Sequence, residues 1–158
     1  MKSGDIKNGM VAGFAGTAAL SVLMIAKHNM GLMPAINTIA DWQHLFALVT
    51  GTLPPQALGW VMYFLLGAVV WGIAYACLVS YLPGGPAVKG LIFGALAWVL
   101  MMVIFFPITG HGVLGLGFGL GLVPAVMTLI LHLIYGLVLG LVYNSFSSGA
   151  AQADVVPN

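Results

Sequence analysis

The chain reads as an all-α, four-transmembrane-helix bundle, and three observations predict it. Of 158 residues, 61% are hydrophobic and only 4% are Asp, Glu, Lys or Arg, with a mean hydropathy of +1.12. Three long stretches carry no charge: Lys7 to Lys27, Asp41 to Lys89, and the 64 residues between Lys89 and Asp154. A surface in water needs charge at that length; a surface in lipid is harmed by it. Third, Pro and Gly cut these stretches into pieces near the roughly 20 residues that cross a hydrocarbon core. The pieces are too long and too evenly apolar for barrel strands, so helices must satisfy the backbone.

The elements follow in order. The first span is expected at about 6–27. Lys2 and Lys7 before an apolar core resemble a signal peptide. No small-x-small cleavage site follows, and Lys27-His28-Asn29 closes the run as an ordinary helix end does, so an uncleaved span is preferred. At about 34–50, Ile36, Ile39, Trp42 with Gln43, Phe46 and Val49 recur at helical spacing, with Asn37, Asp41 and His44 off that stripe. This is a short interfacial helix anchored by Trp42, or a loop packed over the bundle mouth. The second span is expected at about 57–81, and Pro83-Gly84-Gly85-Pro86 turns the chain into a third at about 87–106. Pro107 and the glycine-studded stretch to Gly121 form an outer loop, or a re-entrant, cavity-lining segment. The fourth span is expected at about 123–146, completing one membrane domain over 1–146, with a small, polar, flexible tail at 147–158.

Charge gives orientation. Lys2, Lys7 and Lys89 fall on one side of this layout and Lys27 on the other, which places both termini in the cytoplasm of a cell with a multi-pass inner-membrane protein. Arg and Glu are absent and the net charge is +1, so nucleic-acid binding is not expected.

Helices in lipid are held by close backbone approach, which small residues four apart permit. Gly9 and Gly13 open the first span, Gly90 and Gly94 the third, Gly136 and Gly140 lie in the fourth, and Ala68 and Gly72 form a weaker pair in the second. Ala68, Gly72, Tyr75 and Gly136, Gly140, Tyr143 share one spacing, which suggests two parallel helical hairpins.

The segments GMVAGFAGTAALSVLM, LGWVMYFLLGAVVWGIAYA, KGLIFGALAWVLMM and PAVMTLILHLIYGLVLGLVY span most of residues 9–143. In these the chain resembles an uncharacterised family, a domain of unknown function, of small four-helix bacterial integral membrane proteins. The resemblance implies fold and topology and brings no reaction. Members of that family often carry a His in the second helix where this chain has Tyr63, whereas His132 in the fourth matches; the departure removes one half of any intramembrane histidine pair.

His132 lies about 14 Å along its helix at 1.5 Å per residue, near mid-membrane. An ionisable group there is a functional candidate by default. Thr17, Tyr63 and Trp98 fall near the same depth and are its expected hydrogen-bonding partners, a polar layer that is either a structural strut or a ligand site. His28, His44 and His111 fall on the outward side without metal-ligand spacing, so they are weak candidates and no metal is expected. A haem would need a second His at matched depth, and no cofactor is expected. Trp42, Trp60, Tyr63 and Tyr81 near span ends resemble interfacial anchors, and the lone Cys77 suits core packing.

No Ser–His–Asp grouping, phosphate loop or Cys-based redox motif is present, so an enzyme is not expected. Two readings remain. The first is a non-catalytic accessory or scaffolding subunit whose GxxxG faces join another copy of itself or a membrane complex. The second is a small carrier for an apolar or weakly polar solute, or a haem- or quinone-binding redox accessory, working through His132.

Overall fold

A computed structural model describes the backbone of residues 3–31 and 36–153, and the side chains within these except 3–4 and 148–153. All regular structure among them is helical. Helix α1 covers Ser3–Asn29, α2 Thr38–Thr50, α3 Gln56–Leu78, α4 Pro86–Ile108 and α5 Val123–Ala153. Four of them, all but α2, are long and apolar enough to cross a membrane. Their outer faces carry large aliphatics such as Val22 (67% exposed), Val61 (51%), Val103 (55%) and Val126 (54%), which only lipid can cover without penalty. The protein is a multi-pass membrane protein.

Glycine explains which helices pair. A methyl group at Gly9 would meet the Gly72 backbone, and one at Gly13 would sit 3.0 Å from Ala68 O. In the second hairpin Gly90 lies against Gly136, and Gly94 against Gly136 and the His132 carbonyl. Gly140 approaches Gly90 and Pro86. The small residues noted in sequence are therefore the α1–α3 and α4–α5 seams. The hairpins join through α1 and α5, where Gly16 leaves room for the Tyr135 ring. The order around the bundle is α3–α1–α5–α4. At the end holding the chain termini, Tyr75 closes the ring against Phe93 and Tyr143, at 5.2 and 5.3 Å between centroids.

The boundaries differ from expectation where backbone chemistry intervenes. Helix α3 stops at Leu78, and Val79–Tyr81 already turn toward Pro83. Helix α4 runs through Pro107 to Ile108 because Met101–Phe105 is a π-helical turn. Its wide register bonds Phe106 N to Met101 O, and a proline just after it interrupts less than one inside a regular α ladder. Helix α5 continues to Ala153, seven residues past the point where a tail was expected, and 154–158 lie outside the described residues.

The connection over Gly110–Gly121 is an ordered loop with one 3₁₀ segment, Val113–Phe118. Gly110, Gly112, Gly115, Gly119 and Gly121 all have positive φ, which accounts for the glycine spacing; Leu114 at φ 58° is the exception. The loop folds onto α4, with His111 stacked on Phe118 at 4.2 Å and edge-on to Phe106 at 5.5 Å.

Helix α2 begins at Thr38, where Asn37 caps it by accepting from Ala40 N at 3.2 Å. It lies across the bundle at the loop end. Gly59 lets α3 approach so closely that a Cβ there would sit 2.8 Å from Ile39 O. Trp42 rests on Phe105 of α4 at 5.0 Å. Trp42 is thus a lid contact as well as an apolar anchor.

Candidate functional site

Between the two hairpins, under α2, lies a half-open cavity of about 360 Å³. Its size falls in the range of small-molecule sites. The cause is local. Helices α3 and α4 touch through Trp71, Tyr75 and Phe93, and toward the loop end the space between them is the cavity. Leu66 and Trp71 of α3, Ala97 and Met101 of α4, and Leu131 and Tyr135 of α5 form its apolar walls. Ile36, Trp42 and Leu45 form the roof.

Three of the four residues of the expected polar layer line this cavity: Thr17, Tyr63 and His132. They do not bond one another as expected. The Thr17 hydroxyl donates to Gly13 O of its own helix at 2.8 Å. His132 Nδ1 bonds Thr128 O at 2.8 Å, also within its own helix. A carbonyl only accepts, so Nδ1 carries the proton and Nε2 of the neutral ring is a bare acceptor. It makes no hydrogen bond to the described residues. Charge on that ring would be uncompensated, since no carboxylate lines the cavity. Tyr63 is not the interfacial anchor its position near a span end suggested. It is buried, its hydroxyl has no hydrogen-bond partner among the described residues, and Ser21 lies beside it.

Trp98 does not join the layer. Its indole N–H donates to Ala125 O at 3.0 Å and to Thr128 Oγ1 at 3.2 Å, clamping α4 to α5 behind the cavity wall. Thr128 is thus a member that sequence reasoning missed. Its hydroxyl donates to Pro124 O, its hydroxyl oxygen receives Trp98, and its carbonyl holds His132. Tyr135 was also missed. Its hydroxyl donates to Gly67 O at 2.7 Å, inside the π-helical turn Leu65–Trp71 of α3. Widened turns of this kind loosen the regular ladder, and here a side chain from another helix bonds a carbonyl within one.

At the cavity roof, Asp41 departs from its expected place on the polar side of α2. It is buried and its Oδ1 lies 2.7 Å from His111 Nε2, tying α2 to the glycine-rich loop. Its Oδ2 has no partner among the described residues. Burial pushes the carboxyl above its ordinary range, with the His111 hydrogen bond and charge and the His44 charge opposing. Lys27 adds a second tie, donating to Ile36 O at 2.8 Å. Gln43 adds a third, to Pro54 O at 2.7 Å.

His28, His44 and His111 do not come together as a three-histidine site, and no group of three or more metal-ligating side chains exists among the described residues. His28 and His44 are exposed, and His111 is spent on Asp41. Cys77 is exposed on the outer face of α3 rather than packed in the core.

No curated protein and no solved structure matches the chain. The family of unknown function DUF6789 matches residues 3–154, and the chain belongs to it.

Proposed function

We propose that the protein is a non-catalytic, membrane-embedded binder or carrier of an apolar small molecule that has one hydrogen-bonding group. One observation carries this reading: a mostly apolar cavity of about 360 Å³ is lined by His132, whose Nε2 has no bond to the described residues. An interior of that volume left empty forfeits dispersion contacts, so a ligand of matching polarity gains from entering.

The scaffolding reading has less to stand on. It needs small-residue faces free for a partner, and the pairs at Gly9 and Gly13, Ala68 and Gly72, Gly90 and Gly94, and Gly136 and Gly140 are buried in the two internal seams. Assembly with a second copy would use aliphatic outer faces instead. Lys7 and Lys89 toward one end, with Lys2 preceding Lys7 in the sequence, support a cytoplasmic placement of both termini in the inner membrane. That orientation puts α2 and the cavity roof on the outward side.

The test is thermal stability of the detergent-purified protein during titration with a neutral apolar probe, para-nonylanisole. Ala97 is buried in the cavity wall, so Ala97→Phe fills the space. The wild type is expected to gain stability saturably, as any ligand specific for the folded state requires, and Ala97→Phe to respond far less. An equal response in both proteins, or none in either, would contradict the reading.

A further inference from the structure

We infer that the ligand presents a hydroxyl group, as an alcohol, phenol or hydroquinone does, and donates its proton to His132 Nε2. This rests on the binding reading above and narrows it to one chemical class. The Thr128 carbonyl sets the chemistry of the site. Because it can only accept, it fixes the His132 tautomer and leaves Nε2 as an acceptor in the cavity wall. Helix geometry supports the arrangement: Thr128 lies one turn before His132, and its carbonyl holds Nδ1 while its hydroxyl donates to Pro124 O.

No cavity hydroxyl bonds Nε2: Tyr63 makes no bond to the described residues, and Thr128 donates to Pro124 O. Thr17 donates to Gly13 O and Tyr135 donates to Gly67 O. Each is committed to a backbone carbonyl that lipid cannot solvate. A ligand carrying only a carbonyl or an ether oxygen presents lone pairs to a lone pair. A ligand with a hydroxyl supplies the missing proton. Its own oxygen then still accepts, which suits a wall that also contains Tyr63, a buried hydroxyl without a partner among the described residues. A cation is disfavoured because no carboxylate lines the cavity and Lys27 does. A carboxylate anion finds Lys27 near the roof, where that lysine donates to Ile36 O, but brings no proton to Nε2.

A matched pair of probes tests this. Para-nonylphenol and para-nonylanisole share ring and chain, and differ only in whether the oxygen carries a proton or a methyl group. In titrations of the detergent-purified protein, the wild type is expected to bind the phenol about tenfold more tightly. His132→Leu, which keeps an apolar side chain of similar size, is expected to bring the two affinities together. Equal affinities in the wild type, or a preference that survives in His132→Leu, overturn the hydroxyl assignment while the cavity remains a binding site. If neither probe binds, the binding reading falls and this inference falls with it. Should His132→Leu fail to fold, the wild-type comparison decides alone.

Discussion

At the scale of single residues, Gly90 shows what holds this molecule together. A methyl group there would collide with the Gly136 carbonyl, which belongs to a helix backbone and has no rotamer to retreat into. Gly90→Ala is therefore expected to cost about 1–3 kcal/mol despite the better helix propensity of alanine. Gly85 opens the same helix with no atom within 4 Å of a Cβ, and Gly85→Ala should be close to neutral. Unfolding of the two variants in detergent measures the contrast; equal stabilities would show that the α4–α5 seam is looser than described. These glycines were legible in sequence because small residues four apart are a local pattern with a local cause. The partners of His132 were not. Sequence places residues at a common depth, but which neighbour a ring bonds depends on its rotation. The Thr128 carbonyl, one turn back, competes with every side chain across the bundle.

At the scale of elements, α2 is where a sequence pattern and the structure part. Its apolar stripe predicts Ile39 and Trp42 facing inward, and they do. The stripe also predicts Asp41 facing water, whereas it is buried against His111 from a loop 70 residues away. A periodicity argument sees only one helix and cannot see a partner that distant. Burial of Asp41 makes this clasp pH-dependent. Burial raises the Asp41 pKa in the folded protein above its unfolded value, so the folded state holds that proton more tightly. The stability contributed by Asp41 is thus fully present below the unfolded carboxylate pKa and is lost as pH rises through the folded one. His44 and His111 both face this carboxyl and oppose the shift. Melting temperatures of the wild type and Asp41→Asn, compared from acid to neutral pH, should show the wild type losing ground to the variant as pH rises. A wild type that gains on the variant over that range would contradict the assignment. The π-helical turns in α3 and α4 were likewise invisible in sequence, since the chain registers a change of hydrogen-bond partner only in three dimensions.

At the scale of the whole molecule, four helices fit to span a membrane were legible and the cavity was not. Long uncharged stretches state that four helices cross a membrane, because charge in hydrocarbon is costly regardless of topology. The cavity comes instead from how far α3 and α4 separate beyond their aromatic contacts, and no residue pattern encodes that distance. Four glycine-packed helices would be expected to leave little room. They close tightly within each hairpin and between α1 and α5, and the space between α3 and α4 remains, roofed by α2. The central claim is that this space holds a molecule. Mass spectrometry of the protein released gently from its membrane tests it most directly. A neutral, hydroxyl-bearing apolar compound should accompany the wild type in equimolar amount and be missing from Ala97→Phe. Recovery of nothing but bulk phospholipid, in the same amount from both proteins, would contradict it.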